Sequence, residues 1–219
     1  MIFHGDSLKL MQSMPDKSID CVITDPPYAG FGFHKSIEKY WDEFAPYYEE
    51  MLRLCRGKKR LAITQPANRH AYLRTVLPPT RVLTIADAFA DNRGIPVHFL
   101  LLNPRTEKPQ SVEYWPEDIV PQSIHPNDRD INKMAVAVKA MSRKGDTVLD
   151  PFCGSGAIGV ACVLLGRKFI GIELIEKRAE DARKRLEVAE ARYLETYSEF
   201  ENRRLNLTRN RREPASSGN

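Results

Sequence analysis

The sequence has no run of 18 apolar residues, and its start, Met1 to Asp6, has no basic segment followed by an apolar stretch. Neither a membrane-spanning helix nor a secretory signal is therefore expected. Cysteine is scarce: Cys21, Cys55, Cys153 and Cys162 lie far apart and form no C-x-x-C pair. That spacing excludes a zinc cage and a disulfide framework, and it predicts reduced thiols in a cytoplasmic protein. The five histidines, His4, His34, His70, His98 and His125, do not cluster in metal-ligand spacing, so no metal is expected. A strong excess of one charge is also missing, with 33 Lys and Arg against 29 Asp and Glu and a formal net charge of +4. This balance permits nucleic acid as a partner without demanding it. Asn206-Leu207-Thr208 has the spacing of a glycosylation acceptor, but without a secretory signal it is a chance match.

What is present is the material for one domain of ordinary size: 219 residues, 42% of them hydrophobic. Short β-rich runs recur at Cys21–Thr24, Leu61–Thr64, Arg81–Ile85, Val97–Leu102, Thr147–Leu149 and Lys168–Ile172, with helical stretches between them. This alternation predicts an α/β fold with a largely parallel sheet. Ser36 to Cys55 carries Ile37, Tyr40, Trp41, Phe44, Tyr48, Met51, Leu52 and Cys55 at helical spacing, a stripe that reads as core, with Pro46 as an expected break or new helix start. Ile131–Met141 is a second helix with Gly145 as its stop, and a third begins near Ala157 and ends at Gly166-Arg167. Glu176 to about Asn206 reads as a long, mixed-charge helix with a solvated face, on which Glu180 with Lys184 and Arg183 with Glu187 are surface pairs. Between Ala86 and Asn127 periodicity gives way to Pro-rich sequence with Tyr114 and Trp115, the composition of substrate-facing loops. Arg209 to Asn219 has nothing to bury and is expected to be disordered.

Two segments carry chemistry. Asp25-Pro26-Pro27-Tyr28 directly follows the run Cys21–Thr24, which puts it at the carboxyl end of a strand, where ligands bind in open α/β sheets. Two consecutive prolines stiffen the segment and hold the Asp25 carboxylate and the Pro26 carbonyl in fixed relation. Two fixed acceptors suit the exocyclic amine of a nucleobase, which is a poor nucleophile because its lone pair is delocalised into the ring. Gripping both N–H bonds favours a pyramidal nitrogen with its lone pair turned toward an electrophile, and Tyr28 is placed to stack on the ring.

The second segment, Val148-Leu149-Asp150-Pro151-Phe152-Cys153-Gly154-Ser155-Gly156, reads as a strand, a glycine-bearing turn and the start of a helix. Glu173 closes the next apolar strand, where a carboxylate can accept both hydrogens of a ribose diol. Gly154, Gly156 and Gly159 also have the G-x-G-x-x-G spacing of dinucleotide-binding turns, but the preceding Asp150-Pro151-Phe152 argues for another cofactor.

Asp25-Pro26-Pro27-Tyr28 together with Asp150-Pro151-Phe152-Cys153-Gly154-Ser155-Gly156 and Gly171-Ile172-Glu173 resembles the S-adenosylmethionine-dependent amino-methyltransferases of DNA. The early catalytic motif and late cofactor motif are similar to their β class. His4-Gly5-Asp6-Ser7 and His125-Pro126 extend the likeness, which covers about Met1 to Leu186. The resemblance implies a Rossmann-like, seven-stranded, circularly permuted methyltransferase sheet over residues 1–206. Within it lies a short target-recognition or loop region at 86–127, and a disordered basic tail follows at 207–219.

The resemblance further implies that Asp25, Pro26, Pro27 and Tyr28 hold the target base. Asp6, His125, Asp150, Pro151, Phe152, Gly154, Ser155, Gly156 and Glu173 would line the cofactor, with Glu173 on its ribose and Asp6 toward its adenine. The implied reaction is methyl transfer to N6 of adenine in DNA, as in site-specific and restriction-modification enzymes, with DNA as partner and a homodimer as the assembly common among relatives. Cytosine-N4 transfer, methylation of RNA or of a protein amide, and a catalytically silent cofactor- and DNA-binding subunit are the alternatives. Where the family has His-Pro-x-Gln-Lys-Pro, this chain has His125-Pro126-Asn127-Asp128-Arg129-Asp130, so Arg129 stands in place of the lysine and Asp130 in place of the second proline.

Overall fold

The computed structural model describes residues 1–27, 36–66, 82–90, 96–105 and 129–210. In chain order the elements are β1 (Ile2–His4), α1 (Ser7–Ser13), β2 (Ile19–Thr24), α2 (Ile37–Leu54), β3 (Cys55–Pro66), β4 (Val82–Ala90), β5 (Pro96–Leu102), α3 (Ile131–Met141), β6 (Thr147–Asp150), α4 (Ala157–Leu164), β7 (Lys168–Glu173) and α5 (Glu176–Asn210). The strands form one mixed sheet in the order β1-β7-β6-β2-β3-β5-β4. β1, β7, β6, β2 and β3 run parallel, whereas β5 is antiparallel to both β3 and β4.

The central strands are apolar on both faces, as a sheet covered by helices on each side requires. Cys21 and Ile23 of β2 pack with α3, α4 and the first half of α5, while Val22 packs with α1 and α2 on the opposite face. On β3 the alternation repeats, with Ala62 on the first face and Leu61 and Ile63 on the second. The aromatic stripe of α2 is core: Tyr40 and Phe44 are fully buried and stack with ring centroids 5.6 Å apart.

The topology singles out one place for a ligand. From β6 the chain crosses through α4 to β7 on one side, and from β2 it crosses through α2 to β3 on the other. Connections diverge between β6 and β2, and a crevice opens at the carboxyl ends of strands where that happens. Asp25 follows β2 and Asp150 ends β6, so the two chemical segments flank this crevice.

Several expectations need correction. Pro46 neither breaks α2 nor starts a new helix, because α2 is continuous around it. An interior proline costs about 3 kcal/mol. Each of Tyr40, Phe44, Met51 and Leu54, all fully buried, returns about 1.5–3 kcal/mol. Pro46 itself lies on the exposed face. The Pro-rich region begins later than expected, since residues 86–90 continue β4, where Phe89 and Ala90 pair with Val97 and Pro96 of β5, and residues 91–95 and 106–128 lie outside those described. α3 stops at Met141 with Ser142 as its cap, and Gly145 (φ 86°) serves the turn into β6 instead. α5 continues to Asn210, so residues 207–210 of the expected tail are helical. Its mixed charges do not lie on a wholly solvated helix either: Ala179, Ala182, Leu186 and Ala189 are buried, along with Asp181 and Arg185. Lys177 of α5 forms an ion pair with Asp181. Arg183 donates to the carbonyl of Ile2.

No helix among the described residues is long and apolar enough to cross a membrane, and no group of three or more metal-ligating side chains is found among them.

Candidate active site

Five adjacent parallel strands bring polar side chains to one edge. Asp6 follows β1, Glu173 ends β7, Asp150 ends β6, Asp25 follows β2, and Thr64 lies near the end of β3. At a strand spacing of about 4.8 Å this row is roughly 19 Å long. Four of its five members are carboxylic acids, so the edge suits a cationic ligand with hydroxyl groups to donate.

The glycine turn between β6 and α4 is held largely by main-chain hydrogen bonds. The Gly154 N–H donates to Glu173 Oε2 at 2.9 Å, and the Ile175 N–H donates to Oε1 of the same carboxylate at 2.9 Å. The Cys153 N–H donates to the Ile172 carbonyl at 3.0 Å. Each Glu173 oxygen keeps a further lone pair, so the carboxylate, 8% exposed, can still accept from a diol. Gly154 (φ 52°) and Gly156 (φ 84°) adopt the left-handed conformation that glycine tolerates, and a Cβ at Gly154 would meet nothing within 4 Å. Open space therefore faces the turn beside the Glu173 carboxylate. A Cβ at Gly159 would instead lie 2.5 Å from Phe169 Cε1, so this third glycine lets α4 sit close on the sheet.

Side chains from elsewhere complete the turn. Ser7, buried at the start of α1, donates to the Pro151 carbonyl at 2.5 Å. Arg185 of α5, only 3% exposed, donates through Nη1 to the Ser155 carbonyl at 3.0 Å and to Ser155 Oγ at 2.9 Å. Phe152 meets the aromatic stripe of α2, with ring centroids 6.1 Å from Phe44 and 5.5 Å from Tyr47. Asp6 accepts from the Lys9 N–H at 3.1 Å and so caps α1.

Asp150 joins the two segments. Its Oδ1 accepts from Thr24 Oγ1 at 2.7 Å and from the Phe152 N–H at 3.1 Å, and its side chain is buried. Burial pushes its carboxyl up to about 7; the two hydrogen bonds act against this rise, while the charges of Asp25 and Glu173 add to it. Asp25 and Glu173 thus stand close enough for their charges to act on Asp150.

Asp25 is held from two directions. Thr64 Oγ1 donates to Oδ1 in a short hydrogen bond, and Arg129 Nε donates to Oδ2 at 2.6 Å as an ion pair. Pro26 is buried and Pro27 partly so. Tyr28 and His125 lie outside the described residues. Asp25, Pro26, Pro27, Asp150, Pro151, Phe152, Gly154, Ser155, Gly156 and Glu173 are therefore brought to one edge, with Asp6 at its far end.

Sequence reasoning missed Ser7, Thr24, Thr64 and Arg185 as supporting residues. Thr24 had a usable signal, since it precedes Asp25 on the same strand. Arg185 had a weaker one, the apolar spacing of its neighbours on α5. Cys21, Cys153 and Cys162 are buried, and burial raises all three thiols.

Comparison with known proteins agrees with this geometry. Residues 102–184 match a DNA methylase family model. YubD of Escherichia coli (strain K12), a methylase by name, is 28% identical over 203 residues, covering 84% of this chain and 88% of that protein. The type II methyltransferase M.BamHI of Bacillus amyloliquefaciens is 24% identical over 79% of this chain, which spans 54% of that longer protein. Among solved structures, TTHA0409 of Thermus thermophilus, a DNA modification methylase by name and complexed with S-adenosyl-L-methionine, superposes with a TM-score of 0.63 at 21% identity, covering 86% of this chain and 95% of that one. The cytosine-N4-specific PvuII DNA methyltransferase superposes with a TM-score of 0.63 at 15% identity, covering 88% and 90%. Residues 102–184 are thus similar to DNA methylases, and most of the chain is similar to a protein named as a methylase.

Proposed function

We propose that this protein is an S-adenosylmethionine-dependent DNA methyltransferase acting on the exocyclic N6 amine of adenine. The observation that carries the reading is the hydrogen bond from Thr24 to Asp150, which ties the Asp25 corner to the glycine turn across the crevice between β2 and β6. The order of strands along the sheet, with the cofactor strands β6 and β7 coming last in the chain, supports the permuted arrangement of the β class.

The cofactor fits the residues present. Open space at Gly154, the partly committed Glu173 carboxylate and the acidic edge match a ligand with a ribose diol and positive charge. Glu173 would take the ribose and Asp150, Pro151, Phe152, Ser155 and Gly156 would shape the turn, with Asp6 and His125 as further contacts. Bound there, S-adenosylmethionine supplies an electrophilic methyl on sulfur, and the new N–C bond forms as the S–C bond breaks with its electron pair left on sulfur.

The remaining work falls to the chain. Asp25 and the Pro26 carbonyl accept the two amine hydrogens, which turns the nitrogen lone pair out of conjugation and toward the methyl. Tyr28 stacks on the flipped base and offsets part of the few kcal/mol that flipping costs. The methylated nitrogen carries positive charge and releases one proton to solvent, so no strong base is required. An aspartate at position 25 favours adenine by resemblance, while the similarity to the cytosine-N4 enzyme keeps that base as the second reading.

The test is to incubate the protein with S-adenosylmethionine labelled on the methyl and unmodified DNA, digest the DNA to nucleosides and separate them. Label in N6-methyladenine is the expected result. Label in N4-methylcytosine transfers the assignment to the second base, and cofactor binding without any transfer makes the protein a silent subunit.

A further inference from the structure

We propose that Arg129 is a positioning residue for the Asp25 carboxylate and serves the target base rather than the cofactor; this rests on the methyltransferase reading above. The two residues are 104 positions apart, yet Arg129 Nε donates to Asp25 Oδ2 at 2.6 Å. Side-chain exposure of 28% for Arg129 and 15% for Asp25 shields the pair from full solvent screening. On the other oxygen, Thr64 Oγ1 donates to Oδ1. A carboxylate is planar, so a donor on each oxygen restrains both its position and its rotation, which is what an acceptor for an amine hydrogen needs.

Both donors come from rigid elements. Thr64 sits on β3, which pairs with β2 through Thr24 and Ile63. Arg129 immediately precedes Asp130, whose side chain accepts from the Asn132 N–H at 2.8 Å and caps α3. α3 is in turn fixed by Ile131, Met134, Ala135 and Val138, all buried against the sheet. The aspartate at 130 thus has a local structural use, and it sets the arginine before it at the helix entrance. A neighbouring acid supplies a second reason for a cation here: the charge of Asp25 reaches Asp150, and Arg129 counterbalances it.

The experiment compares wild type with Arg129→Gln, Arg129→Lys and Thr64→Val. It measures cofactor dissociation constants by calorimetry, single-turnover methyl transfer to DNA at saturating cofactor, KM for DNA, and thermal melting. For Arg129→Gln the transfer rate is expected to fall by about a hundredfold, the loss typical of a small misplacement of a reacting group. Its cofactor affinity should stay within about twofold, because its partner is the base-gripping acid and not the cofactor. Arg129→Lys should recover at least a tenth of the wild-type rate, since a cation is restored without the guanidinium fork. Thr64→Val should show the same split, and it carries the test if Arg129→Gln does not fold. A cofactor dissociation constant raised tenfold or more with an unchanged rate at saturation overturns the proposal and gives Arg129 to the cofactor. An unchanged rate in Arg129→Gln also overturns it. Failure of the wild-type protein to transfer methyl at all overturns the methyltransferase reading itself, so the two failures appear in different arms.

Discussion

The two sides of the crevice are built differently. On the β6–β7 side, the Asp150 and Glu173 carboxylates accept from main-chain N–H groups of Phe152, Gly154 and Ile175. On the β2–β3 side, the Asp25 carboxylate accepts from the side chains of Thr64 and Arg129, brought from positions 39 and 104 residues away. A ligand that is the same in every turnover can be met by a rigid backbone cradle. A base that must swing out of a duplex, enter and leave is better met by a corner whose grip rests on a few side chains. The comparison predicts that damage on the first side reads out in cofactor affinity, and damage on the second in rate.

The sharpest test of that division is Asp25→Ala. Transfer is expected to fall by at least ~10²–10³-fold, the loss seen when one transition-state hydrogen-bonding group is removed. Cofactor affinity should remain within about twofold, and single-turnover kinetics beside calorimetry would read both. Equal loss of the two quantities breaks the comparison, because it would mean that the sides are not independent. The mirror experiment is Glu173→Ala, which removes the acceptor for two main-chain N–H groups and for the diol. Cofactor dissociation should rise about tenfold or more, in line with the ~1.5–3 kcal/mol of hydrogen bonds to charged groups. An unchanged dissociation constant would take Glu173 out of the ribose site.

Gly159→Ala probes the cradle through packing alone. The new methyl would lie 2.5 Å from the buried Phe169 ring and 3.0 Å from Leu186 Cδ1, so α4 or the ring has to shift. A loss of about 1–3 kcal/mol in denaturant unfolding is expected, as for other overpacked cores. Wild-type stability in this variant would show that α4 can lift from β7 freely, which a rigid cradle does not allow.

The difference between the sides also explains what the sequence made legible. The cradle could be read because its signals are local: Asp150, Pro151, the glycines and Glu173 fall within 24 residues, and each has a backbone reason to be what it is. Asp25-Pro26-Pro27 could be read for the same reason. The partners of Asp25 could not, because nothing local marks Thr64 or Arg129 as its donors; only the sheet order and the placement of α3 bring them together. The same limit applies to Arg185, which reaches Ser155 from 30 residues away. The misread boundaries have a different cause. At Pro46, burial of one helix face outweighed a local stop signal, and α5 runs on past Asn206 to Asn210.

A smaller effect, confined to the cradle, concerns pH. The Asp150 carboxyl is raised from its ordinary 3.8 to about 7, chiefly by burial. Between those two values the folded chain holds a proton that the unfolded chain has released, so this group's contribution to stability is full below about 4 and is lost as pH rises through about 7. Thermal melting should therefore fall between about pH 5 and about pH 8 in wild type, and Asp150→Asn should flatten that slope. S-adenosylmethionine carries positive charge, which favours ionised Asp150, so adding it should lessen the wild-type slope and leave that of Asp150→Asn unchanged. A slope that persists in Asp150→Asn would assign the titration to another group, and the absence of any slope in wild type would mean that the buried acid is ionised throughout this range.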